Sequence, residues 1–119
     1  STLRDVIKAL HANQFIGIVA DQHDPSEKLI LDFFGRKATV PRGPALFAIK
    51  TGCPILPYLL RRERYDRHVI IPCKPIYPPD NKDLEAGIRE MSLTYLKFFE
   101  DTIRKYPDQW MWTHRRWKI

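Results

Sequence analysis

Apolar residues recur at Leu3, Val6, Ile7 and Leu10, the spacing of one helical face, and Thr2 with Asp5 three positions on has the form of a capping box. This predicts an amphipathic helix over residues 2–13. The pattern then changes. Residues 15–20 (Phe-Ile-Gly-Ile-Val-Ala) are an almost unbroken apolar run of strand length, ended by the polar loop 21–25. Such a run fits a strand buried on both faces. A second apolar patch, residues 29–34, is closed by Gly35 and Arg36. Pro44 suits the first turn of a helix over 44–51 and Gly52 its C′ position. Residues 54–60 read as a strand, 61–67 as a charged turn and 68–71 as a further strand. After a Pro-rich linker over 76–81, Leu84, Ile88, Met91, Tyr95, Phe98 and Ile103 mark a long amphipathic helix over 81–105. Asp80 or Asn81 can cap that helix, and Tyr106-Pro107 ends it.

The strand–helix–strand unit over residues 15–60 predicts a right-handed crossover and a parallel pair. The short charged turn before His68 predicts an antiparallel hairpin. The expected fold class is therefore α/β, a mixed and mainly parallel sheet with flanking helices.

Length and charge narrow this further. At 119 residues, one compact domain is the ceiling. No apolar run reaches membrane-spanning length, and Cys53 and Cys73 are too few for a disulfide scaffold. The formal charge of +6 favours an anionic partner: nucleic acid, lipid headgroups or a phosphorylated substrate.

Several groups are candidates for chemistry. Asp21 and Gln22 follow the first apolar run, at the strand end where open α/β sheets bind ligands; capping a loop is the commoner role for such an Asp. Arg36, Lys37 and Arg42 flank Thr39 just ahead of a helix N-terminus, which suits phosphate but equally a solvated basic loop. Arg61, Arg62, Arg64 and Arg67, mixed with Glu63 and Asp66, fit a charged hairpin tip or a surface for anionic headgroups. Trp110, Trp112 and Trp117 alternate with His114, Arg115, Arg116 and Lys118. That interleaving suits a membrane interface or single-stranded nucleic acid, or simply tryptophans packed on the sheet. His23 and Glu27 are four apart, but Pro25 disfavours a shared helix, and no metal or cofactor site is expected.

Four patches taken together resemble one family. They are Ile18-Val-Ala-Asp-Gln22, Phe33-Phe-Gly-Arg-Lys-Ala-Thr39, the block from Gly43 to Pro57, and Tyr106-Pro-Asp-Gln-Trp-Met-Trp-Thr-His-Arg-Arg-Trp-Lys118. In order, spacing and content they are similar to the C-terminal half of the bacterial lipid A biosynthesis acyltransferases, the lauroyl and myristoyl transferases. These lie within the lysophospholipid and glycerol-phosphate acyltransferase superfamily. The resemblance implies the C-terminal part of that superfamily's fold. It implies passage of an acyl chain from acyl carrier protein to a hydroxyl of a lipid A precursor, at the cytoplasmic face of the bacterial inner membrane. It implies no cofactor and no nucleic acid. It places Asp21 near the acceptor's polar head, while Arg42-Gly43-Pro44 departs from the small or hydroxyl residues common in the family. From the residues themselves, Gln22, Arg36, Thr39 and Arg42 join Asp21 as candidate substrate-binding positions, and Trp110, Trp112, Arg115 and Arg116 are candidates to face the membrane or headgroups. The family's catalytic signature is a His with Asp or Glu five positions later. Here His11, His23, His68 and His114 are followed at that distance by Ile16, Lys28, Cys73 and Ile119. The expectation is thus a fragment of a longer enzyme, inactive by itself, with its catalytic His upstream of Ser1. Rival readings are a basic nucleic-acid-binding module and a non-enzymatic interaction domain on the same fold.

Overall fold

The computed structural model describes residues 2–19, 29–80 and 83–110. In chain order the elements are α1 (Thr2–His11), β1 (Leu29–Phe33), β2 (Arg36–Val40), α2 (Gly43–Thr51), β3 (Tyr58–Arg64), β4 (Arg67–Pro72) and α3 (Leu84–Lys105), followed by a 3₁₀ turn over Pro107–Gln109.

The strands form two separate antiparallel hairpins, β1 with β2 and β3 with β4. This corrects the expected mainly parallel sheet. The chain turns back after β1 through Phe34 and Gly35, both at positive φ (53° and 74°), so the second apolar patch pairs with the residues directly following it. Two successive positive-φ residues make the twist that a two-residue hairpin link needs. The basic stretch 36–40, expected as loop, is consequently a strand. Phe34 is an unusual occupant of the left-handed region. Its N–H donates to the Glu100 carboxylate at 2.6 Å, and the Arg104 guanidinium lies 4.9 Å from its ring centre. Both partners come from α3, so tertiary contacts hold the turn in place.

The first apolar run is corrected too. Residues 15–19 belong to no strand, and Phe15 and Val19 are 88% and 74% exposed. An apolar run states a wish for burial, not the presence of a neighbour to provide it. The expected β3–β4 hairpin is present, but shifted: β3 runs on through Arg61 to Arg64, and only Tyr65 and Asp66 make the turn. Pro54 and Pro57 have no N–H to give a ladder, which delays the start of the strand.

The helices follow their sequence signals closely. α1 ends at His11, two residues early, and Asn13 at φ 66° turns the chain into the apolar run. In α2, Pro44 lies in the first turn, and Gly52 takes the left-handed conformation (φ 77°) while its N–H donates to the Ala48 carbonyl at 2.7 Å. α3 starts at Leu84, and its cap is Asp83 rather than Asp80 or Asn81; the Asp83 carboxylate accepts from the N–H groups of Glu85 and Ala86. The core lies where α3 meets the first hairpin. Leu31, Phe33, Ala38 and Val40 of the hairpin and Tyr95, Leu96, Phe99 and Ile103 of α3 are all buried. A second cluster joins Ala45 and Ala48 of α2 to Ile88 and Met91 of α3. The Tyr95 hydroxyl donates to the Pro41 carbonyl at 3.3 Å, which ties α3 to the entry of α2.

Candidate functional site

Among the described residues lies an apolar trough of about 820 Å³. One wall is the run 14–19 and the other is the stretch 53–60 leading into β3. Pro44 and Ala48 of α2 and Tyr95 and Phe99 of α3 lie between them, with Gln109 and Trp110 at one end. The volume falls in the range of small-molecule sites. No charged side chain lines it; its polar groups are Asn13, Gln14, Gln109, Cys53 and the hydroxyls of Tyr58 and Tyr95. Such a lining suits hydrocarbon, at about 0.8 kcal/mol per buried CH₂, and carries no carboxylate, imidazole or ammonium group. His11 and His68, the two described histidines, are both exposed and lie outside it.

The sequence-derived site residues do not gather in this trough. Arg36 and Arg42 stand at and beyond opposite ends of β2, so the expected basic cluster is spread along a strand rather than focused on the α2 N-terminus. Arg42 ion-pairs with Glu85, and the neighbouring Lys37 pairs with Asp32 at 3.5 Å. Thr39 is buried, at 5% exposure. Trp110 is half-buried and packs edge-on against Phe33, with ring centres 5.7 Å apart. Asp21, Gln22, Trp112, Arg115 and Arg116 lie outside the described residues. At the second hairpin's tip, Glu63 pairs with Arg67 at 3.0 Å and Asp66 with Arg64 at 3.9 Å. Arg61 instead points inward and stacks 4.7 Å from the Tyr106 ring centre.

The match to known proteins is specific. The sequence model for bacterial lipid A biosynthesis acyltransferase matches residues 1–119. The chain belongs to that family. Membership points to an acyltransferase of the lipid A biosynthesis type, with an acyl donor and a lipid acceptor in general terms, and it does not favour the nucleic-acid and non-enzymatic readings. No curated protein matches the chain. Among the described residues no helix is long and apolar enough to cross a membrane.

One residue in the family-like C-terminal patch has a role that sequence reasoning missed. Gln109 reaches across to β3, where its Oε1 accepts from the Arg62 N–H at 3.0 Å and its Nε2 donates to the Arg62 carbonyl at 3.4 Å. The side-chain amide thereby completes one strand-like pairing on the edge of β3. Nothing in the local pattern around Gln109 reports this, because its partner is 47 positions away.

Proposed function

We propose that the chain is the C-terminal part of an enzyme that moves a fatty acyl chain from acyl carrier protein to a hydroxyl of a lipid A precursor, at the cytoplasmic face of the bacterial inner membrane. The observation that carries this reading is the family match across the whole chain. The charge-free apolar trough supports it, because an acyl substrate needs an apolar surface for its hydrocarbon. One wall of the trough runs directly into Asp21 and Gln22 in sequence, which fits an acyl chain lying beside the polar end of the reaction.

In this proposal a general base takes the acceptor's hydroxyl proton as its oxygen attacks the acyl carbonyl, and the carrier's sulfur leaves. The base is a His upstream of Ser1, since none of the four histidines here has an acidic residue five positions later. Asp21 and Gln22 orient the acceptor's polar head, with Arg36 and Arg42 contributing along its phosphates. Trp110, Trp112, Arg115 and Arg116 belong to the part nearest the membrane.

Two measurements test this. In the protein encoded with its upstream sequence, Asp21→Asn lowers turnover by up to about 10²-fold while the thermal midpoint stays put; unchanged transfer refutes the role. Residues 1–119 alone transfer no acyl group from acyl carrier protein, because a base worth about 10²–10⁴ in rate is missing. Measurable transfer by them overturns the upstream-base proposal.

A further inference from the structure

The second hairpin has two faces of opposite character. On one, Leu59 packs against the core beneath α3, and Arg61, Val69 and Ile71 on the same side are partly covered. Strand alternation sends the cross-strand pairs Tyr58–Pro72, Leu60–Ile70 and Arg62–His68 to the other side. There Tyr58, Leu60 and Ile70 are each more than half exposed, and Tyr65 at the tip is almost fully exposed. An exposed apolar strip rimmed by polar groups marks a contact surface.

The charges around the strip indicate what it meets. Residues 58–74 carry Arg61, Arg62, Arg64, Arg67 and Lys74 against Glu63 and Asp66, a net +3, which is half of the chain's formal +6. Glu63 and Asp66 are already paired with Arg67 and Arg64. Arg62 and Lys74 are exposed and have no ion pair among the described residues. They flank the strip, Arg62 toward the tip and Lys74 just past the end of β4. Aliphatic side chains in the middle, cations at both ends and tyrosines between match the order of a bilayer surface, from hydrocarbon through the ring belt to the headgroup phosphates. A nucleic acid would use the cations and leave Leu60, Ile70 and Pro72 in water.

We infer that the outward face of the β3–β4 hairpin lies on an anionic lipid surface, with Leu60 and Ile70 at the acyl boundary and Arg62 and Lys74 on headgroup phosphates. The placement rests on the proposed function in one respect, that the acceptor is a lipid. Tyr58 and Leu60 also line the trough, so the trough's rim meets the surface from which such an acceptor comes.

Co-sedimentation of the 119-residue chain with vesicles of phosphatidylglycerol and phosphatidylcholine tests this. The chain is expected to bind them, to ignore pure phosphatidylcholine, and to release as salt rises. Arg62→Gln combined with Lys74→Gln weakens binding by about 20-fold, at about fivefold for each basic residue. The main chain of Arg62, not its side chain, holds Gln109, so this variant keeps that contact. Ile70→Glu weakens binding by about tenfold or more, and the Arg62 and Lys74 variant keeps the test alive should Ile70→Glu fail to fold. Arg89→Glu, an equal loss of charge on the exposed side of α3, leaves binding nearly unchanged. A chain that ignores the anionic vesicles, or one that Arg89→Glu weakens as much as the hairpin variants do, overturns the inference. Tighter binding to a single-stranded oligonucleotide than to vesicles also overturns it. So does binding lost on Arg115→Gln with Arg116→Gln but kept in the hairpin variants, which moves the contact to the tail. None of these outcomes touches acyl transfer itself, which is read separately as turnover in the protein with its upstream sequence.

Discussion

The two hairpins are built alike and live differently. The β1–β2 hairpin has a two-residue link and five paired positions, and Leu31, Phe33, Ala38 and Val40 are buried against α3. The β3–β4 hairpin is as long, yet no residue of either strand is fully buried. Its inward face, Leu59 and Ile71 among it, is half-covered, while Tyr58, Leu60 and Ile70 are more than half exposed. Backbone pairing alone does not stabilise a two-stranded ribbon in water; a third layer does. The first hairpin has that layer in α3. The second is held by Gln109 at one edge, by Arg61 stacked on Tyr106, and by salt bridges at its tip, each of modest worth.

The largest effect that sharpens this contrast is in the core. Phe33→Ala costs about 3–5 kcal/mol, whereas Ile70→Ala on the outward face of β4 stays within about 0.5 kcal/mol. Equilibrium urea unfolding of both variants measures the difference, and comparable losses would erase the distinction between the hairpins. At the first hairpin's turn, Gly35→Ala places a side chain at φ 74° in otherwise open space. Strain alone then costs about 1 kcal/mol, visible as a lower urea midpoint. An effect of similar size concerns the helix that covers the first hairpin. Asp83→Ala removes the cap of α3 and lowers stability by about 0.5–2 kcal/mol. Amide exchange should report it first in the opening turn of α3, with the β3 amides already exchanging faster than those of β1.

The helices were legible because their signals are local. Pro44 and Gly52 bracket α2, and the apolar spacing from Leu84 to Ile103 traces the buried face of α3. Ile88, Met91, Tyr95 and Ile103 are buried as that spacing requires; Phe98 is half-buried with Phe99 buried beside it, the start lies at Leu84 rather than 81, and the cap is Asp83. The β1–β2 hairpin was also within reach of sequence: Phe34-Gly35 between two five-residue strands is a short hairpin link, obscured because a bulky Phe is a poor advertisement for positive φ. The candidate site was less legible. Arg36, Thr39 and Arg42 look clustered when counted along the chain, but an extended strand advances about 3.3 Å per residue and separates them.

What the sequence determined by itself was the helices, the β3–β4 hairpin, and family patches specific enough to point to a lipid A acyltransferase. Each depends on residues close together in the chain, or on a pattern that survives without knowing neighbours. Only the tertiary structure decided which apolar run is buried. Residues 15–19 and 29–33 are both apolar and strand-length, yet one is exposed and the other packs beneath α3. It also decided that Gln109 closes the edge of β3 at Arg62. The physical reason is that burial and strand pairing are properties of two surfaces at once, and one stretch of sequence specifies only one of them.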